Sequence, residues 1–309
     1  MKNNIVIVNP VSGNGAGKRL LPAITEKLNG IDLDYDLEVT MKPGHAKDLA
    51  FTAIKNGYQK IIAAGGDGTV NEVINGMMLA GNGNNANVPL AVICIGRGND
   101  FSYGVGIPTN WLNGIEVIKT GRQQMIDLAY LKGGDFPGGR YVGNGIGIGF
   151  DAVVSFVAAR NKILTGFSSY AWAALKTIYL YYQAPSLKIE LDDETILLSG
   201  LMVSIMNGRR MGGGFHMAPD SQPDDGLFDL CIVNEIPKGH MIPLIMRFMR
   251  GIQGGHKAVQ FKRSKSVKVT AIKGTIPAHA DGEAICTAGK EIDIQIVPNA
   301  INVMVPREA

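Results

Sequence analysis

The chain has 309 residues, 46% of them hydrophobic and 18% charged, with a formal net charge of +3. That length allows two modest domains, and the apolar share is enough to bury a core, which excludes an intrinsically disordered chain. Forty glycines without a G-x-y period point to tight turns and close backbone approaches rather than to a collagen-like fibre.

The first 126 residues alternate between two kinds of pattern. The apolar runs NIVIV, DYDLEVT, QKIIAA and VPLAVICI read as strands, and GKRLLPAITEKLN, GHAKDLAFTAIKNG and TVNEVINGMMLA have helical spacing between them. Regular alternation of this kind predicts an open parallel sheet covered by helices. A polar, glycine-rich segment follows each strand: NPVSGNG, MKPGH, GGDGT and GRGNDF. All four therefore belong at the carboxyl edge of one sheet, where open α/β folds bind ligands. From Asp127 onward the texture changes. IDLAYLK, YVGNGIGIGF, LKIELD, ETILLSGLMVSIMN, LFDLCIVN, SVKVTAI and KEIDIQIVP read as strands of a mainly antiparallel domain, with helices expected near 151–183 and 237–253. The expected organisation is an α/β domain over 1–126 and a β-rich sandwich over 127–299, with 300–309 free to return to the first domain.

Cys94, Cys231 and Cys286 are scattered, without a C-x-x-C, and read as reduced core residues of a cytosolic protein. The N-terminal apolar run is too short for a signal peptide. The longest uncharged stretch of the most apolar helix, 163–175, has thirteen residues, short of the ~18 or more that a membrane span needs. No Asp or Glu occurs over 236–280, where nine Lys and Arg do. Such a field suits an acidic partner, whether nucleotide, nucleic acid or anionic lipid, or is simply a solvated basic face.

Two familiar phosphate motifs are absent. Ser12 and Arg19 break the Walker A pattern, and Lys18 stands where a dinucleotide fingerprint has its third glycine. NPVSGNGAGK is still a glycine-rich turn opening a helix, whose free N–H groups and dipole make an anion site or merely a β-to-α turn. GGDGT says more. Gly65 and Gly66 let a phosphate approach the backbone, Gly68 keeps the turn bare, and the Thr69 hydroxyl can donate to phosphate oxygens. A carboxylate aimed at a phosphate repels it unless a cation lies between. Asp67 is thus expected to help hold Mg²⁺ against nucleotide phosphates, the plainer alternative being a capping aspartate. Asp100 of GRGNDF and Asp127 add carboxylates at the same edge. Farther on, Asp220, Asp224, Asp225 and Asp229 form an acidic loop suited to a hard cation or to a plain turn. Asp281 and Glu283 flank a glycine turn where a carboxylate could take a proton from an attacking hydroxyl, or where a hairpin simply reverses. The histidines show no metal-ligand spacing; His45, His216 and His279 read as local hydrogen-bonders.

NPVSGNG, GGDGTVNEV, GRGNDF, GNGIGIGFDA, NGRRMGGGFHMAPDSQPDDGLFDL and ADGE occur in an order that resembles the diacylglycerol kinase catalytic-domain family. These are bacterial soluble lipid kinases related to sphingosine kinases and, more distantly, to NAD kinases. The resemblance covers nearly the whole chain. It implies an α/β nucleotide domain and a β-rich sandwich, with ATP between them. It places Asn9, Pro10, Ser12 and Gly13 at the ATP phosphates, and Thr40, the run from Gly66 to Glu72 including Asn71, and Asn99 around the nucleotide. Asp67, Asp100 and Asp127 resemble an Asp–water–Mg²⁺ network. Asp225, with the carbonyls of Gln222 and Leu227, resembles a structural Mg²⁺ site. Asp281 or Glu283 is the implied general base, with Asp281 favoured. Arg97 departs from the family's small hydroxyl residue; its guanidinium suits ATP phosphates or obstructs the adenine side.

The expected function is transfer of the ATP γ-phosphoryl group to a lipid hydroxyl, diacylglycerol by default. The alternatives are a kinase of a soluble alcohol and a nucleotide-binding regulator without catalysis. The expected setting is cytoplasmic, docked peripherally on anionic membrane through the aromatic helix near 163–182 and the basic stretch. Nucleic acid is not an expected partner, and a homodimer is left open.

Overall fold

The computed structural model describes residues 3–83, 85–159, 167–180 and 184–307. Two units separate. One comprises 1–128 with 298–309, the other 129–297.

The first unit is built from β1 (Asn4–Val8), α1 (Ser12–Asn29), β2 (Tyr35–Val39), α2 (His45–Lys55), β3 (Lys60–Gly65), α3 (Asp67–Ala80), β4 (Asn85–Cys94), α4 (Asp100–Gly104) and α5 (Trp111–Thr120). The strands pair in parallel in the order β2–β1–β3–β4, with Val6 opposite both Leu37 and Ile62, and Ile62 opposite Ala91. Ile301 and Val303, from the far end of the chain, pair parallel on the other side of β4. Central strands covered on both faces read as unbroken apolar runs. Ile5 to Val8 and Ile61 to Ala64 are accordingly all buried. The edge strand β2 carries Asp36 and Glu38, charges that discourage pairing with another chain. Neither α4 nor α5 stood out in the periodicity. Yet α5 carries a legible start, since Asn110 Oδ1 accepts from the Leu112 N–H at 2.9 Å as an N-cap.

The second unit continues with β5 (Arg122–Gly133), β6 (Phe136–Val142), β7 (Gly145–Gly149), α6 (Phe150–Ala159), α7 (Phe167–Leu180), β8 (Ser186–Glu190), β9 (Thr195–Met206), β10 (Phe228–Asn234), α8 (Lys238–Arg250), β11 (Val259–Ser264), β12 (Ser266–Lys273), β13 (Ile276–Ala280), β14 (Glu283–Gly289) and β15 (Glu291–Val305). Its pairings are antiparallel. The long β9 serves two sheets, its first half beside β8 and its second half between β7 and β10. Leu187, Ile189, Val203, Ile205, Phe228, Leu230, Val267 and Ile292 fill the sandwich between them. A separate apolar layer joins the outer face of β9 and β10 to α6, α7 and α8.

The single strand expected over YVGNGIGIGF is broken. Gly143 and Asn144 leave the ladder between β6 and β7 and turn their N–H groups to a side chain, Asp281. Near 151–183, where helices are expected, the structure has α6 and α7, with 160–166 and 181–183 outside the described residues.

Candidate functional site

In the first unit, the loops after β1, β3 and β4 meet through bare backbone. A Cβ on Gly66 would lie 2.9 Å from the Cα of Gly96, and one on Gly96 only 2.4 Å from the Cα of Gly66. Nothing larger than glycine fits either position. After β1 the chain passes through a left-handed run, Gly13, Asn14 and Gly15 at φ 59°, 56° and 79°, before α1 becomes regular. The Ser12 Oγ stands 3.4 Å from the Cβ position of Gly66, so this turn faces the one after β3. Asn9 ties them together. Its Nδ2 donates to Thr69 Oγ1 at 2.9 Å, while its Oδ1 accepts from the Val11 N–H at 3.2 Å. The carbonyl of Pro10 accepts from the Lys18 N–H at 2.9 Å, closing the turn. Because Thr69 Oγ1 is an acceptor here, its own proton is left to donate outward.

The carboxylates separate into a pair and an outlier. Gly98 lies between Asp67 Oδ2 and Asp100 Oδ2, which stand 3.0 and 3.3 Å from where its Cβ would be. Asp67 Oδ1 also accepts from the Phe101 N–H at 3.0 Å, at the start of α4. Asn99, left-handed at φ 52° and buried, holds this loop by donating from Nδ2 to the Gly96 carbonyl at 3.1 Å. Asp127 is fully buried and accepts from the Asn299 N–H at 2.7 Å. Among the described residues, no three His, Cys, Asp or Glu side chains gather at metal-holding distance. Asp67, Asp100 and Asp127 thus form no direct three-carboxylate cluster, which a water-linked Mg²⁺ network does not require. A pair beside a glycine suits Mg²⁺ better, since that ion keeps several waters and takes one or two carboxylates.

Other residues of the expected site have different partners. Both Glu72 oxygens accept backbone N–H groups at the start of α2, Gly44 at 2.7 Å and Ala46 at 3.0 Å. It is a clamp on that helix. Asn71 faces inward, 1% exposed, with Asn75 Nδ2 donating to its carbonyl and its Oδ1. Thr40 is buried at the end of β2, its N–H on the Val8 carbonyl. His45 Nδ1 accepts from the Met41 N–H at 3.1 Å. Arg97 is exposed on the loop after β4.

In the second unit, Asp281 sits in a left-handed turn at φ 47° and gathers three backbone donors: Gly143, Asn144 and Gly145, at 2.9 to 3.0 Å. These bonds fix its carboxylate at the turn of the β13–β14 hairpin. Glu283 pairs with Arg140 at 2.9 Å, and that guanidinium stacks 4.6 Å from the Phe136 ring centroid. Sequence reasoning missed Arg140 altogether; a lone arginine in FPGGRYV carries no motif.

The loop before β10 does not fit a resident metal. Arg263 pairs with the Asp225 carboxylate and, at 3.2 Å through Nε, with Asp229. The other Asp225 oxygen accepts from the Leu227 N–H at 3.1 Å. Asp225 and Asp229 thus have a cation from the chain itself, Asp229 and Arg263 being cross-strand partners on β10 and β11. Gln222 is exposed in the same loop. Of the Mg²⁺ set expected from Gln222, Asp225 and Leu227, the Asp225 carboxylate is thus engaged by Arg263 here.

One more cluster was hidden in the sequence. His279, Gly147, Ser204 and Cys231 are successive cross-strand neighbours on β13, β7, β9 and β10. Asp151, in the first turn of α6, drops onto this row, and Ser204 Oγ donates to its Oδ2 at 2.8 Å. His279 Nε2 and Asp151 Oδ2 straddle the bare Gly147, 2.3 and 2.5 Å from its Cβ position. Burial raises the Asp151 carboxyl to about 7, despite opposing hydrogen bonds from Ser204 and the Ala152 N–H. Burial also lowers His279 to about 4. Its Nδ1 finds no partner.

Comparison with known proteins agrees with this architecture. Residues 3–131 match the family model described as the diacylglycerol kinase catalytic domain. Residues 144–305 match the YegS C-terminal NAD kinase beta sandwich-like domain. A diacylglycerol kinase of Staphylococcus saprophyticus is 30% identical over 279 residues, covering 90% of this chain and 88% of that protein. One from Bacillus subtilis is 28% identical, covering 92% and 90%. Among solved structures, a putative diacylglycerol kinase from Bacillus anthracis superposes with a TM-score of 0.78 at 21% identity, covering 98% of this chain and 97% of that one. An Archaeoglobus fulgidus NAD kinase in complex with ATP reaches 0.52 at 13% identity, over 97% and 93%. The family model and the curated relatives thus define a kinase that acts on an alcohol group. The chain belongs to the diacylglycerol kinase catalytic-domain family.

Proposed function

We propose that the protein transfers the γ-phosphoryl group of ATP to the free hydroxyl of diacylglycerol, giving phosphatidic acid, at the cytoplasmic face of an anionic membrane. The observation that carries this reading is the Asp67–Asp100 pair beside Gly98, at a sheet edge whose Gly66 and Gly96 leave backbone bare for phosphate. The relatives named diacylglycerol kinase support the acceptor.

The chain's own groups divide the work. Gly65, Gly66 and Gly68 admit the phosphates to the N-terminus of α3, where free N–H groups and the helix dipole favour anions. Thr69 donates its hydroxyl proton there, its orientation set by Asn9. Ser12 and Gly13 border the same edge, and Arg97 supplies an exposed positive charge. Asp67 and Asp100 would hold Mg²⁺, which when bound neutralises phosphate charge. Asp127 acts from behind by holding Asn299. Asp281 takes the proton of the acceptor hydroxyl as that oxygen attacks the γ-phosphorus and ADP leaves. Glu283, paired with Arg140, is the alternative base.

The test is transfer from labelled ATP into a total-lipid extract, with the product identified by mass. Labelled phosphatidic acid is the expected outcome. Label confined to a water-soluble product such as phosphorylated NAD would replace the lipid by a soluble alcohol.

A further inference from the structure

α7 and α8 cover the same outer sheet face. Ala173, Ala174 and Ile178 of α7 and Met241, Leu244 and Phe248 of α8 pack in one layer with Met202 and Val233. Lys238 Nζ donates to the Tyr179 carbonyl at 3.4 Å, linking the start of α8 to the end of α7. Two helices seated on one sheet face turn their outer sides the same way.

Those outer sides are apolar where water would be expected. Trp172, Leu175 and Tyr179 follow one another along α7, and Tyr179 is 81% exposed. Ile242 and Met246 stand one turn apart on α8, 51% and 44% exposed. Cations surround them. Lys176 Nζ lies 5.0 Å from the Trp172 ring centroid, and Lys238, Arg247 and Arg250 are exposed on α8. Neither helix contains Asp or Glu. The rest of the acid-free stretch is partly spent within the fold. Lys262 pairs with Glu194, Arg263 with Asp225 and Asp229, and Lys268 with Glu291. Of the nine cations of that stretch, Lys238, Arg247 and Arg250 lie on α8, where Lys176 of α7 joins them, and Lys257, Lys265 and Lys273 are exposed elsewhere.

A protein partner would have to match several large apolar groups and the cations of Lys176, Arg247 and Arg250 at once. An anionic bilayer supplies both counterparts, an apolar boundary for the side chains and phosphate for the cations. We propose that the outer face of α7 and α8 is the surface through which this protein docks on anionic membrane, an inference that rests on the lipid-kinase reading for its biological purpose. Trp172, Leu175, Tyr179, Ile242 and Met246 enter the headgroup boundary, and Lys176, Lys238, Arg247 and Arg250 sit over lipid phosphates.

The experiment is co-sedimentation of the full chain with phosphatidylcholine vesicles, with and without phosphatidylglycerol. It compares Tyr179→Ala/Met246→Glu, Arg247→Glu/Arg250→Glu and, as an off-face control, Lys268→Ala. Binding should require phosphatidylglycerol, weaken with salt, and fall at least about tenfold in both double variants but not in the control. Activity on a water-soluble short-chain diacylglycerol should stay unchanged in all three, which also shows that they fold. Undiminished vesicle binding by both double variants overturns the surface. So does a wild-type dimer that the same substitutions dissociate, since the face would then belong to a second copy. A wild type that phosphorylates short-chain diacylglycerol yet never sediments also overturns it and spares the kinase reading. A wild type that binds vesicles through this face but phosphorylates no lipid supports the surface and sinks the substrate assignment.

Discussion

The backbone N–H of Phe101 donates to Asp67 Oδ1 at 3.0 Å, so one carboxylate both anchors α4 and faces Asp100 across Gly98. Asn in place of Asp67 keeps that acceptor and removes the charge. Asp67→Asn should therefore melt within a few degrees of wild type while losing roughly a hundredfold or more in turnover, the scale expected when a metal-linked charge is removed. Turnover and melting measured side by side decide it. Near-normal turnover would make Asp67 a capping residue and nothing more.

Arg97 is exposed, so its removal should cost the fold little. Arg97→Thr is expected to raise KM for ATP by about tenfold through the loss of a charge-assisted phosphate contact, with kcat changed less. Tighter ATP binding in the variant would identify Arg97 as an obstruction.

Glu72 tests the opposite case, a residue of the phosphate motif that works for the fold. Glu72→Ala strands two N–H groups at the start of α2 and should cost about 1–2 kcal/mol in urea unfolding. KM for ATP should move little in variant protein that remains folded. A large KM change at unaltered stability would return Glu72 to the nucleotide.

Asp151 gives a pH signature. Its carboxyl is held near 7 in the fold and near 3.8 when exposed, so the folded state binds the extra proton between those values. Stability from this group is complete below about pH 4 and is lost as pH rises through 7, a loss of up to a few kcal/mol. His279, lowered to about 4, acts in the opposite sense, losing stability as pH falls from 6.5 through 4. Above pH 6.5 only Asp151 among the facing groups, Ser204, Cys231, His279 and the Ala152 N–H, changes charge. Asp151→Asn should thus flatten the decline in melting temperature between pH 6.5 and 8. An unchanged slope would show that another group titrates there.

Arg263 predicts a weak metal response. Wild-type melting should hardly shift with added Mg²⁺. Arg263→Met uncovers Asp225 and Asp229, and its melting should rise with Mg²⁺ as a ligand bound only by the folded state requires. A strong Mg²⁺ response in the wild type would show that the metal displaces the arginine.

The parallel sheet was legible because buried strands such as NIVIV are unbroken apolar runs and every glycine-rich turn follows one of them. The antiparallel unit was legible as a class through its turn signals and alternating strands. Its breaks were not, because what stops β6 at Gly143 is a carboxylate 138 positions away. No local pattern carries that distance. In the same way GGDGT marks the place of Asp67 but not its nearness to Asp100, and nothing local shows that Glu72, on α3, accepts both N–H groups at the start of α2. The row of His279, Gly147, Ser204 and Asp151 comes from four separate elements, and GNGIGIGFDA displayed two of its members without the register that joins them to the others.

β15 begins against β12 in the second unit and ends against β4 in the first. The first unit is consequently a discontinuous piece of chain. Its fourth strand keeps a raw flank throughout synthesis of the intervening 169 residues, 129–297, and is sealed only when that late strand arrives. A ribosome-bound chain stopped before residue 298 would present β4 as an open template for pairing with its neighbours. Completion of the parallel sheet is thereby timed by translation of the β-rich unit, whose own residues all precede the sealing segment.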